Sequence, residues 1–300
     1  VFKDTDYYSE VMNHFEPYAD HPLIEEIEFS DERVADYFSW RTAALAYRFE
    51  GQRLASGEPF AAAADAAGWF HDQRELIEDF AAESGFREFY AEHRAFYEEQ
   101  RASYRKKVPV RRMWRWLETQ FPARYDGYVV VFSPLIDASH NTLRFEDSGY
   151  RECVMVVGGP DLLAGRTNDA RVEEALLSRH VFTEIDHNYV NPVSNRHVES
   201  IDTALAELDA WNAQRGYGSP LMTFNEYVTW AVFIIYAAEY YDGEVFDLAR
   251  SYQIRTMEGS RGFVRFGDFV RWLEGRWADR GTEEKLVDLY PEMIDWFASK

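Results

Sequence analysis

Between Arg179 and Pro192 the sequence gathers two of the chain's eight histidines, a glutamate and an aspartate. The centre of this stretch, Thr183-Glu184-Ile185-Asp186-His187, departs from the pattern H-E-x-x-H at its first position only. In that pattern two histidines one helical turn apart hold zinc, and the glutamate takes a proton from metal-bound water. At about 100° per helical residue, with His180 set at zero, Glu184 falls about 40° to one side. His187 and Thr183 fall about 20° and about 60° to the other, so the four share one face. Phe182, Ile185 and Tyr189 lie on other sides and can anchor the helix in a core.

Three readings of this face stand side by side. His187 binds a metal, Glu184 activates water, and Thr183 stands where a second imidazole is expected, although a neutral hydroxyl is a poor zinc ligand. Alternatively His180 supplies the missing ligand, but it lies roughly 10.5 Å from His187 along the axis, which strains a shared tetrahedral ion. A Glu184–His187 pair at i, i+3 is allowed, as in carboxylate–histidine sites of helical bundles. In the third reading the histidines are hydrogen-bonded members of a polar, metal-free helix face. Glu184 and Asp186 as a metal-independent carboxylate pair is disfavoured, because i, i+2 neighbours point about 160° apart.

A second carboxylate, Glu226, falls in the first turns of a very apolar segment, followed by Thr229, Trp230, Phe233 and Ala237. A glutamate there is costly unless it is paired or bound to a cation. Near a helix N-terminus it also gains from the helix dipole.

The elements that must position these groups read as helices around a small sheet. Helical spacing is seen in Val34–Tyr47, opened by Ser30-Asp31-Glu32-Arg33, and in Asp72–Ala82. A long amphipathic helix over Phe86–Tyr104 carries His93 in an aromatic stripe, where a core histidine with one hydrogen-bond partner is expected. Val110–Gln120 is a further helix. Gly57-Glu58-Pro59 marks a turn. Tyr128–Phe132 and Cys153–Val157 are β-branched runs, with Leu143-Arg144-Phe145 as a short strand between them. The central helix spans 168–190 and stops at Asn191-Pro192. Ser200–Ala213 is helical, and 221–241 is a long apolar helix, too short in its uninterrupted run to be a membrane span. The glycines at 259, 262 and 267 mark irregular structure before closing helices around Phe269–Trp277 and Glu283–Trp296. The fold class is α+β, helix-dominant, with a small mixed sheet. Residues 1–120 form a helical N-terminal region and 121–300 a region with the sheet and the two site helices, the whole a compact unit.

Composition narrows the partners. With 300 residues and 46% hydrophobic side chains the chain can bury a large core. A net charge of −21 disfavours nucleic acid and anionic membrane. Only five of the 32 basic residues are lysines, and an acidic, lysine-poor surface suits high salt as well as a GC-rich genome. Cys153, the sole cysteine, excludes an intrachain disulfide and reads as a buried structural thiol. A first residue other than methionine is what removal of a leader would leave.

These motifs together resemble the family of bacterial, mostly exported proteins designated domain of unknown function 4932, which looks like gluzincin-type zinc metallopeptidases. Thr183–Pro192 matches its H-E-F-S-H-like motif followed by an aromatic residue and Asn-Pro, and Phe224-Asn225-Glu226-Tyr227 its downstream Asn-Glu. The rhythm around His93 and the strands ending in Ser133-Pro134-Leu135 and Gly158-Gly159-Pro160 also fit, so the likeness covers about His21 to Tyr241. It implies a zincin-like fold in which His187 and Glu226 bind zinc and Glu184 is the general base. It further implies Cys153–Val157 as the sheet edge that pairs with an extended peptide, and an oxyanion-stabilising donor among Tyr189, Tyr227, Tyr236 and His140. His180, Asn191 and Thr183 are accessory positions. Thr183 replaces the family's first histidine, and loss of one of three protein ligands lowers zinc affinity by orders of magnitude. The expected function is therefore a metallopeptidase-related protein with a degenerate zinc site, hydrolysing peptides if active. The alternative is an exported pseudopeptidase that binds a peptide or glycan.

Overall fold

The computed structural model describes residues 3–27, 34–57, 68–136, 139–160, 167–213 and 216–300. The N-terminal part consists of α1 (Asp6–Phe15), α2 (Pro22–Glu26), α3 (Val34–Ala44), the strands β1 (Tyr47–Glu50) and β2 (Arg53–Ser56), α4 (Gly68–Asp72), α5 (Arg74–Glu83), α6 (Phe86–Glu92), α7 (Arg94–Lys107) and α8 (Val110–Gln120). The strands β3 (Gly127–Ser133), β4 (Asn141–Asp147) and β5 (Tyr150–Gly158) follow. The remainder is α9 (Ala170–Ser194), α10 (Val198–Ala204), α11 (Pro220–Tyr240), α12 (Gly243–Arg255), α13 (Phe266–Ala278) and α14 (Tyr290–Ala298). This is the expected helix-dominant α+β layout with a small mixed sheet. Residues Ser30–Arg33 and Glu58-Pro59, expected to form an N-cap and a turn, lie outside the described residues.

The sheet has the order β3-β5-β4, with β3 parallel and β4 antiparallel to β5. Ser148 and Gly149 join β4 to β5 with φ of 50° and 86°, the two left-handed residues that a tight hairpin turn demands. Strand order corrects one expectation. Cys153–Val157 lies in the central strand, paired on both sides, and is therefore no edge; the edges belong to β3 and β4. Burial explains its apolar composition, since Cys153 through Val157 are at most 3% exposed. Burial also pushes the Cys153 thiol up to about 12, as befits a structural cysteine.

Two other departures have local causes. Tyr47 opens a hairpin rather than closing a helix, because Gly51, at φ 62°, reverses the chain between Glu50 and Arg53. The expected 86–104 helix is interrupted at His93, whose ψ of 6° separates α6 from α7. His93 also has two partners rather than one, the Phe89 carbonyl at 2.7 Å and Glu10 at 2.6 Å.

Helices α9 and α11 form the centre of the core. Asp169 caps α9 by accepting from the Arg171 and Val172 amides, and Ser219 caps α11, with Pro220 at its first position. Phe182, Ile185 and Tyr189 are completely buried, and Phe182 packs against Phe233 and Tyr236 of α11. Met113, Trp116 and Leu117 of α8 belong to the same core. Among the described residues α11 alone is long and apolar enough to cross a membrane, but 83% of that window is buried inside the fold.

Helix α9 does not stop before Pro192 as expected. It runs through the proline to Ser194. Proline has no amide to give the Asn188 carbonyl one turn back. The Tyr125 hydroxyl donates to that carbonyl instead, at 2.7 Å, so the missing bond is replaced from outside the helix. One residue earlier, Arg144 donates to the His187 carbonyl at 3.3 Å.

Candidate functional site

Helix α9 presents Glu184 and His187 toward Glu226 of α11, so the three residues singled out in the sequence converge. His187 Nε2 lies 3.4 Å from Glu226 Oε1, and His187 Nδ1 lies 3.1 Å from Asn191 Oδ1, which fixes the ring. The other Glu226 oxygen, Oε2, accepts from the Trp230 indole at 2.9 Å and from Arg261 Nη2 at 2.8 Å. Arg261 is the residue that sequence reasoning missed. It follows a π-helical turn, Thr256–Ser260, and precedes Gly262, whose φ of 74° turns the chain back toward α13. Its guanidinium lies over Trp230, 4.6 Å from the ring centroid, and donates to the Tyr217 hydroxyl.

The remaining expected positions separate into two groups. Thr183 is buried beside the cluster, and its hydroxyl donates back to the His180 carbonyl at 3.1 Å. His180 accepts from Arg179 at 2.8 Å and packs edge-on against His140. Asn191 joins the site through His187. The tyrosines lie elsewhere. Tyr189 bonds Tyr128 at 2.5 Å, Tyr227 donates to the Trp211 carbonyl at 2.9 Å, and Tyr236 accepts from Arg112 at 2.8 Å. The phenol that does reach the cluster, Tyr217, comes from the loop before α11. Gly216 and Gly218 flank it, as suits a loop.

Burial sets the electrostatics. It pushes Glu184 up to about 7, with the Glu226 charge adding and His187, Arg261 and Arg41 opposing. Burial works against charging His187, but its bond to Glu226 and the charges of Glu226 and Glu184 outweigh this and raise it to about 9. Arg261 is lowered by burial to about 10 and remains a cation at neutral pH. Asp186, on the opposite side of α9, is fully buried, and neither of its oxygens accepts a hydrogen bond of normal geometry. Burial and the charges of Glu184 and Glu226 raise it well above the carboxylate range.

A zinc ion holding two protein ligands at tetrahedral angles separates them by roughly 3.4 Å. The His187–Glu226 spacing has that value. The donor set then changes character: the next positions carry the Thr183 hydroxyl and a guanidinium already bonded to Glu226. Among the described residues no three His, Cys, Asp or Glu side chains gather as a metal-ligand group. No protein-family model, curated protein or solved structure matches the chain.

Proposed function

We propose that the protein is a gluzincin-type metallopeptidase relative, with a zincin-like fold, in which Arg261 has taken the place of the metal, and that it binds peptides without hydrolysing them. The bond from Arg261 to Glu226 carries this reading. A carboxylate that would face zinc instead faces a cation built into the chain, and Trp230 donates to the same oxygen. The hydroxyl of Thr183, turned back onto its own helix, supports it. A guanidinium neutralises carboxylates but has no open coordination position at which water becomes hydroxide, so no hydrolytic step is assigned to the site. The exported setting implied by the family resemblance belongs to the same proposal.

One observation favours retained hydrolysis: Glu184, at about 7, is poised as a base near neutrality. Elemental analysis of purified protein, with peptide cleavage assayed with and without zinc and a chelator, separates the two. The proposal expects substoichiometric zinc and no chelator-sensitive cleavage. Stoichiometric zinc with cleavage abolished by Glu184→Gln would overturn it.

A further inference from the structure

Among the described residues the strand β3 pairs on one side only, with β5. The Ser133 carbonyl at its end accepts from the Ile136 amide at 3.2 Å; no other bond to the far edge from Tyr128 to Phe132 is seen among the described residues. That edge, Tyr128 to Ser133, lines a groove of about 1310 Å³ whose opposite wall comes from α1, α6 and α7. The wall is aromatic: Tyr7, Phe86, Tyr90 and Tyr97 face the groove, and Phe86 and Tyr90 are 36% and 55% exposed.

Its charge runs against that of the whole chain. The protein has 53 acidic residues against 32 basic ones, yet among the described residues Arg101, Arg105, Arg111 and Arg112 line the groove and no carboxylate does. These arginines belong to the segment 101–112, which carries Arg101, Arg105, Lys106, Lys107, Arg111 and Arg112 and no acid. Arg101 is paired with Glu98, Arg112 with Glu174 and Lys107 with Glu173. Arg105 and Arg111 are exposed, and neither makes an ion pair among the described residues.

We infer that this groove binds an extended acidic peptide, which adds a strand to β3. Unpaired amides and carbonyls along β3 supply backbone recognition, and alternate side chains of the incoming strand point into the aromatic wall. Arg105 and Arg111 select carboxylates, and on a protein of net charge −21 they are where an acidic segment is attracted rather than repelled. The inference rests on the peptide-binding half of the proposed function and places it away from the Glu226–Arg261 cluster. It does not depend on whether that cluster hydrolyses anything.

The test uses the whole chain and a fluorescent seven-residue peptide alternating glutamate and valine, matched to the seven residues of β3. Anisotropy at low salt is expected to show saturable binding, weakened about tenfold by Arg105→Glu/Arg111→Glu and by physiological salt. Methylating alternate backbone amides of the peptide abolishes it. Both arginines are exposed, so an unchanged thermal melt certifies the variant's fold. Binding equal to that of a lysine–valine peptide would overturn the inference, as would insensitivity to backbone methylation. So would full competition by a sulfated polysaccharide or an oligonucleotide of equal charge, neither of which can extend a sheet. Zinc content and proteolysis, measured separately, judge the metal-replacement reading, so neither failure can be mistaken for the other.

Discussion

Arg261 and Glu226 meet at 2.8 Å, and the glutamate oxygen that Arg261 leaves free is the one facing His187 at 3.4 Å. One carboxylate thus serves two cations from two different elements. Removing the arginine strands a buried charge that keeps only the His187 and Trp230 contacts. Arg261→Ala is expected to cost about 3–5 kcal/mol in denaturant unfolding. Arg261→Lys recovers part of this, since an ammonium restores charge but not the planar stacking on Trp230. An alanine variant as stable as the parent would show that the pair is not a structural element.

If Arg261 stands in for a metal, restoring the missing ligand alone will not restore metal binding. Thr183→His is expected to bind zinc weakly, because Glu226 is still held by the guanidinium. Thr183→His combined with Arg261→Ala is expected to bind at least about tenfold more tightly by calorimetry, as a cation competitor is removed from a His-His-Glu set. Equal affinities in the single and double variants would remove Arg261 from the account.

Stability should fall as pH rises through the neutral range. His187 is raised from 6.5 to about 9, so the stabilisation from its charged form is complete below 6.5 and lost as pH climbs through 9. The interval corresponds to roughly 3 kcal/mol. Glu184 works in the same direction: its ionisation is deferred from 4.5 to about 7 in the folded chain, and a cost accumulates between those values. Urea unfolding at about pH 6 and pH 9 reads most of the His187 contribution and only the last part of that of Glu184, and His187→Gln should flatten the upper part of the profile.

Asp186 makes a separate pH signature. In acid, both the folded and the unfolded chain keep it protonated. Above the ordinary carboxylate range the unfolded chain ionises and the folded one does not, a cost growing by about 1.4 kcal/mol per pH unit until the folded group titrates. Asp186→Asn should therefore change little near pH 4 and stabilise increasingly toward neutrality. A pH-independent effect would show that Asp186 is ionised in the folded protein.

The Tyr125 hydroxyl that replaces the amide missing at Pro192 has a measurable share. Tyr125→Phe leaves the Asn188 carbonyl unpaired and should cost about 1–3 kcal/mol. Hydrogen exchange should quicken in the last turn of α9 before any change appears in its first turns.

Much of this architecture was legible because its signals are local. The apolar spacing of α9 and α11, the β-branched runs and the shared face of Glu184 and His187 follow from periodicity or motif, while Glu226 was joined to them only by the family resemblance. Arg261 was not legible: an arginine between two glycines carries no period, and a π turn aims it. Strand order was equally hidden. Cys153–Val157 reads as a strand from its composition, but whether a strand is flanked or free depends on partners tens of residues away. The end of α9 misled for the same reason, since the hydroxyl that carries it past Pro192 comes from Tyr125.

The cation at Glu226 is covalently attached to the chain. A metal centre depends on supply: it can be starved, poisoned by a competing ion or emptied by a chelator. A guanidinium arrives with translation, in fixed stoichiometry, and cannot exchange with the surroundings. On the proposed reading, whatever shape this charge cluster holds open is kept equally in metal-poor and metal-rich surroundings.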